Sequence, residues 1–139
     1  IEDNKVDIQN ITNFIKQSDR LNAEIKIVDS VKKAKTIMFY EKMDIILVDI
    51  NVQGMKFDEF IDSFSEDNLS IPYIVITDER DEDIGIEAVK KGAQDYLVRS
   101  EISERILRRA ITYSLERHEI LESLYRTTIV DELTGDIWA

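Results

Sequence analysis

Five positions in this 139-residue chain carry side chains suited to chemistry, and they stand at the ends of short apolar runs. Asp49 follows Ile45-Ile46-Leu47-Val48, Thr77 follows Tyr73-Ile74-Val75-Ile76, Arg99 follows Tyr96-Leu97-Val98, and the acidic pair Glu2 and Asp3 follows Ile1. Three carboxylates brought within a few ångström repel and raise one another's pKa unless a cation shares their charge. A hard divalent ion with oxygen ligands resolves that conflict, and Mg2+ suits a site with few protein ligands and several waters. With the charge shared, Asp49 would act as nucleophile toward phosphorus and form an acyl phosphate, Mg2+ and Arg99 balancing charge on the equatorial oxygens. Each residue alone has a plainer reading. An Asp or Thr after a strand is commonly a turn former or helix N-cap, Glu2-Asp3 reads as a solvated terminus, and Arg99 reads as a surface cation beside Glu101. Their order at the ends of successive runs is what points to a site.

The elements that would position them follow from periodicity. Residues 25–28, 45–48 and 73–76 are short, β-branched and too apolar to leave one face in water, so they read as buried strands. A fourth strand is predicted at 95–98, after Gly92 and Ala93, and a first strand is expected ahead of Glu2. Helical spacing marks 10–14, 31–40, 57–65 and about 82–91, and Pro72 marks the start of a strand, where its missing N–H costs least. This alternation predicts a parallel sheet with helices on both faces, whose functional groups gather at the strands' carboxyl ends. Residues 102 to about 129 contain neither Gly nor Pro and read as one long helix. Ile106, Ala110 and Tyr113 are expected to face the sheet, whereas Ile120, Leu121, Leu124 and Tyr125 lie beyond it and suit pairing with a second copy, a homodimer.

Twenty-nine acids against eighteen Lys and Arg give a net charge of -11, which opposes binding to nucleic acid or anionic lipid. With no cysteine, neither a disulfide frame nor a thiolate zinc site is available. No apolar run approaches the roughly 18 residues of a membrane span and no basic, apolar signal segment opens the chain, so a soluble cytoplasmic protein with one core is expected.

Ile1-Glu2-Asp3-Asn4, Ile45-Ile46-Leu47-Val48-Asp49-Ile50, Ile76-Thr77 and Gly92-Ala93-Gln94-Asp95-Tyr96-Leu97-Val98-Arg99 together resemble the signatures of response-regulator receiver domains of two-component signalling. The resemblance runs from residue 1 to about 115. It implies a flavodoxin-like, doubly wound, five-stranded parallel sheet of order 2-1-3-4-5 with a long C-terminal helix, and a phosphoacceptor rather than an enzyme. Under it Glu2 and Asp3 are the metal-binding pair, Asp49 is the phosphorylated residue, and the main-chain carbonyl of Asn51 completes the Mg2+ ligands. Thr77 is the hydroxyl that moves to the phosphoryl group and Tyr96 the aromatic switch that swings inward. The implied partner is a sensor histidine kinase or phosphotransfer protein. Three departures stand out. Arg99 and Ser100 replace the usual Lys and Pro, and a planar guanidinium is not equivalent to an ammonium. Asp78 follows Thr77 where a small residue is usual, so its charge either opposes an incoming phosphoryl group or pairs with Arg99. The loop 51–56 lacks the usual Pro-Gly and Asp-Gly but keeps Gly54.

The tail carries a second resemblance. Arg109 to Arg117 is similar to a last receiver helix that runs on as a signalling helix, and Asp131-Glu132-Leu133-Thr134-Gly135 resembles the opening of GGDEF diguanylate cyclase domains. The expected division is a receiver domain at 1–115, then at 116–139 a linker and the start of a truncated output domain without a cyclase active site. Asp136-Ile137-Trp138-Ala139 departs from the usual continuation. His118-Glu119-Ile120 is similar to a phosphoacceptor histidine box, but the Pro that box needs is absent, so His118 reads as a surface or interface residue. Two alternatives remain beside the phosphorylation switch. One is a degenerate receiver serving as a constitutive dimerisation or docking module, motivated by Asp78 and Arg99. The other is a flavin-binding doubly wound domain, disfavoured because no Ser/Thr-rich phosphate loop follows the first strand.

Overall fold

The structure, a computed structural model, describes residues 1, 4–17, 24–51, 62 and 71–134, with side chains through 124 on the last helix. Helix α1 (Lys5–Gln17) starts where Asn4 caps it, the Asn4 side-chain oxygen accepting from the N–H groups of Val6 and Asp7 at 3.0 and 3.2 Å. The cap satisfies donors that the first turn leaves unpaired, and it seats Asp7 where the helix dipole favours an anion. Helix α2 (Val31–Tyr40) begins in the same way at Ser30, whose Oγ accepts from the Lys33 N–H.

Strands β1 (Ile46–Asp49), β2 (Tyr73–Thr77) and β3 (Asp95–Val98) form a parallel sheet in the order β1-β2-β3 among the described residues. Helix α3 (Glu82–Lys91) lies between β2 and β3, and helix α4 (Glu104–Thr134) follows β3. Alternate strand residues part to two faces. Ile46, Val48, Tyr73 and Val75 pack with Ala88 of α3 and with Val31 and Met38 of α2. Ile74 and Leu97 pack with Ile11, Phe14 and Ile15 of α1 and with Leu107, Ala110 and Ile111 of α4. All five residues of β2 are buried, as a strand covered on both faces requires. The chain is thus an α/β, doubly wound fold of flavodoxin-like type with a long C-terminal helix.

Gly92 sets the entry to β3. Its φ of +131° is a backbone conformation that a Cβ would strain, and it ends α3 so abruptly that the Gln94 N–H already donates to the Tyr73 carbonyl at 2.9 Å. Register then brings the three strand ends level, with Asp49 opposite Ile76 and Thr77 opposite Val98.

Several expectations change. Residues 25–28 join no sheet among the described residues. A strand exists through its ladder partners, and among the described residues the far side of β1 is bonded by Ile1, whose amino group donates to the Leu47 carbonyl and whose carbonyl accepts from the Asp49 N–H at 3.0 Å. Between that edge and the 25–28 segment lies a cavity of about 400 Å³. Of the helix expected at 57–65 only residue 62 is described, and the pair Glu2 and Asp3 lies outside the described residues. Helix α4 starts at Glu104 and not at 102, because Ser103 caps it by accepting from the Ile106 N–H at 3.2 Å. Its inward face is Leu107, Ala110, Ile111 and Ser114, whereas Ile106 and Tyr113, expected inside, are exposed. The apolar stripe on this helix is wider than the contact it makes, and α1 covers only the Leu107 side.

The 31 residues of α4 carry it well past the sheet. Arg117 donates to the Gln94 carbonyl at 2.9 Å, and beyond it Ile120, Leu121 and Leu124 are exposed. His118 is partly buried, 3.9 Å from Glu122. No helix among the described residues is long and apolar enough to cross a membrane.

Leu107 is 1 % exposed and Ile120 61 %. Leu107→Ala is expected to lower unfolding free energy by about 2–5 kcal/mol, while Ile120→Ala stays within about 0.5 kcal/mol for the isolated protomer, as read from urea unfolding.

Candidate functional site

The carboxyl ends of the three strands carry Asp49, Thr77 and, one residue past β3, Arg99. Asp49 is 1 % exposed and Thr77 fully buried. A carboxylate that deep requires partners. One oxygen of Asp49 accepts from the Asn51 N–H at 2.8 Å, and the other accepts from the Arg99 guanidinium. Arg99 reaches two further carboxylates: Nη1 donates to Asp7 on α1, and Nε donates to Asp78, just after β2, at 2.9 Å. Asp78 is itself held, because Nδ2 of Asn51 donates to its second oxygen at 2.9 Å. Burial alone would lower the pKa of Arg99, but its hydrogen bonds to Asp78 and Asp49, with the charges of Asp49 and Asp7, outweigh that and hold it above the ordinary value.

Asp78 therefore pairs with Arg99, one of the two outcomes its charge allows. Asp7 had no such signal. In the sequence it is an acid in the first turn of a helix, a position explained by the dipole alone, and its partner lies 92 residues away. Asn51 also has an unanticipated part, since its amide side chain and main-chain N–H bridge Asp78 and Asp49.

The Thr77 hydroxyl has no hydrogen-bond partner among the described residues. Tyr96 stands beside it, half-buried, its hydroxyl donating to Glu82 at 2.9 Å. The Glu82 carboxylate, as acceptor, holds the phenol's pKa above its ordinary value, with smaller contributions from burial and neighbouring acids. Gly85 on α3 lies where the two switch candidates meet. A Cβ there would stand 2.9 Å from the Tyr96 ring and 3.0 Å from the Thr77 methyl. The sequence did hold a clue to Gly85, because glycine inside a helix costs about 1 kcal/mol relative to alanine and so implies a need for space.

Of the groups expected to hold Mg2+, the described residues include Asp49 and Asn51. Among the described residues no group of three or more His, Cys, Asp or Glu is arranged to hold a metal ion. Both oxygens of Asp49 and both of Asp78 accept from protein donors, and the cation between the carboxylates is Arg99. The expected ligands Glu2 and Asp3 lie outside the described residues.

Comparison with known proteins agrees with the fold. The chain is similar to the signal receiver domain of a LuxO repressor protein of Vibrio parahaemolyticus, at 19 % identity and a TM-score of 0.75, covering 88 % of this chain and 92 % of that one. It is similar also to NtrX of Brucella abortus, at 13 % identity and a TM-score of 0.78, covering 91 % of this chain and 28 % of that one. Among curated proteins it is 24 % identical to a cyclic di-GMP phosphodiesterase of Thermotoga maritima over 98 % of its own length, spanning 37 % of that relative. The family model of the response regulator receiver domain matches residues 1–111. With most of its length so matched and its strand ends bearing this cluster, the chain belongs to the response regulator receiver domain family.

Proposed function

We propose that this receiver accepts a phosphoryl group on Asp49 from the phosphohistidine of a sensor kinase or phosphotransfer protein. The observation that carries the reading is the pairing, at level ends of adjacent parallel strands, of a buried carboxylate with a buried hydroxyl that has no partner among the described residues, Asp49 and Thr77. An Asp49 oxygen bonds to phosphorus as the donor's P–N bond breaks and the electron pair leaves on the imidazole. Arg99, released from the carboxylate, pairs with the new phosphoryl oxygens. The Thr77 hydroxyl donates to one of those oxygens, and Tyr96 leaves Glu82 for the space that Thr77 gives up. Glu2, Asp3, Asp49 and the carbonyl of Asn51 are the ligands we assign to Mg2+. In the described arrangement Arg99 supplies the positive charge, and the transfer chemistry rests on Asp49, Thr77 and Arg99.

Residues 1–115 form the receiver in this proposal and 116–139 a linker into an output domain. Asp131-Glu132-Leu133-Thr134-Gly135 supports a diguanylate cyclase in that place, and the Thermotoga relative's name supports an output concerned with the same nucleotide. The setting is cytoplasmic and the working unit a homodimer joined along α4. A second reading is favoured by the hold of Arg99 on Asp49 and Asp78: a degenerate receiver in which the acceptor is permanently paired and the domain serves for docking.

Acetyl phosphate is expected to add one phosphoryl group to the wild type and none to Asp49→Asn by intact mass. An adduct persisting in Asp49→Asn removes the assignment, and a wild type inert to every donor leaves the docking module. Gly85→Ala is expected to cost about 1–3 kcal/mol in urea unfolding, as overpacking does, and to displace the Tyr96 ring from Glu82, read from its NMR shifts. Leu121→Glu with Leu124→Glu is expected to convert a dimer into a monomer by light scattering.

A further inference from the structure

We infer that Arg99 is a resident counter-cation for the acceptor site, a cap that a divalent cation has to displace before it binds Asp49. Each nitrogen of the guanidinium engages a different carboxylate, and the three come from different segments: Nη1 from α1 through Asp7, Nη2 from β1 through Asp49, and Nε from the turn after β2 through Asp78. A planar fork spreads its donors over three nitrogens and so reaches three acids that stand apart. An ammonium on a lysine stem is a single point charge. The cage is braced from behind, because Asn51 fixes Asp78 through its side chain and Asp49 through its N–H.

Two cations do not share this carboxylate. Asp49 is 1 % exposed, and among the described residues one of its oxygens accepts from the Asn51 N–H and the other from Arg99, so an ion that binds the carboxylate meets one of these donors. Beside Arg99 a divalent charge would sit against a guanidinium that is itself held in the charged form, and like charges so close repel strongly at low dielectric. Metal uptake and Arg99 capping therefore exclude each other. Uncapping also reaches further than Asp49. Arg99 lets go of Asp78, which leads through the turn Glu79–Asp81 into α3, where Glu82 and Gly85 hold Tyr96. A cation arriving at Asp49 is in this way felt at the aromatic side chain before any phosphoryl group is transferred.

The inference needs Asp49 as the buried anionic centre but does not need it to be phosphorylated, so the two readings fail separately. The test is titration with Mn2+ alone, free ion being read by electron paramagnetic resonance, for wild type, Arg99→Ala and Arg99→Lys, with the Arg99 Nε–H resonance followed in the wild type. Arg99→Ala is expected to bind at least about tenfold more tightly than wild type, a difference of about 1.4 kcal/mol or more. Arg99→Lys falls between them, and the Nε–H signal disappears as metal saturates the wild type. Equal affinities, absence of binding in all three, or an unmoved Arg99 signal in the metal-loaded wild type overturns the inference. If Arg99→Ala folds only with Mn2+ present, the ion has taken over the charge and the inference stands. If it folds in neither condition, the affinity of Arg99→Lys relative to wild type decides by the same criterion.

Discussion

A carboxylate removed from water as fully as Asp49 is stable only where donors or a cation meet it, and the rest of the site is arranged around meeting it. The charge is shared through Arg99 with acids from two other segments. Helix α1, strand β1 and the turn after β2 are thereby tied at one point by side chains, in addition to the apolar packing beneath. Breaking such a buried pair from one side costs about 3–5 kcal/mol, since it leaves the other charge without compensation. The same contact thus bears on stability and on the readiness of the acceptor, and the two are opposed: whatever frees Asp49 for chemistry loosens the end of the sheet.

The parallel sheet makes that convergence possible. In-register strands end at one level, so side chains distant in sequence are brought together without long loops. A one-residue slip would exchange the two faces of a strand, carrying the residues that pack on α3 to the side of α1 and α4 and spoiling the fit on both. The abrupt close of α3 at Gly92 serves the same end, delivering β3 in register and Arg99 one residue beyond it.

Much of this was readable from residue order. The strands at 46–49 and 73–77 announced themselves as β-branched runs over 45–48 and 73–76, the one at 95–98 followed from Gly92 and Ala93 after a helix, and the presence of Asp49, Thr77 and Arg99 at their ends followed from the parallel arrangement. What escaped depended on facts that local pattern does not hold. Asp7 gains its place from the packing of α1 against the sheet and α4, and nothing within a window of ten residues records that. The inward face of α4 was misassigned at Ile106 and Tyr113 because the helix carries adjacent apolar columns and only contact with α1 selects between them. The segment 25–28 has the composition of a strand, but composition confers no hydrogen-bond partner. Asp78, read as either an obstacle or a mate for Arg99, could be settled only by seeing the guanidinium turned toward it.

Helix α4 is unbroken from Glu104 to Thr134, and past Ser114 it is held to the domain by Leu115, packed against the core, and by the bond from Arg117 to the Gln94 carbonyl. An uninterrupted helix behaves as a shaft whose length and angular phase are locked together, each added residue advancing it about 1.5 Å and turning it about 100°. Anything joined to the far end therefore takes its azimuth from the residue count. Inserting one residue past Arg117 would swing it through more than a quarter turn, whereas inserting seven would restore the phase to within about 20° and move it roughly 10 Å outward. Spacing along this shaft, more than the identity of its exposed residues, fixes which way an attached domain faces.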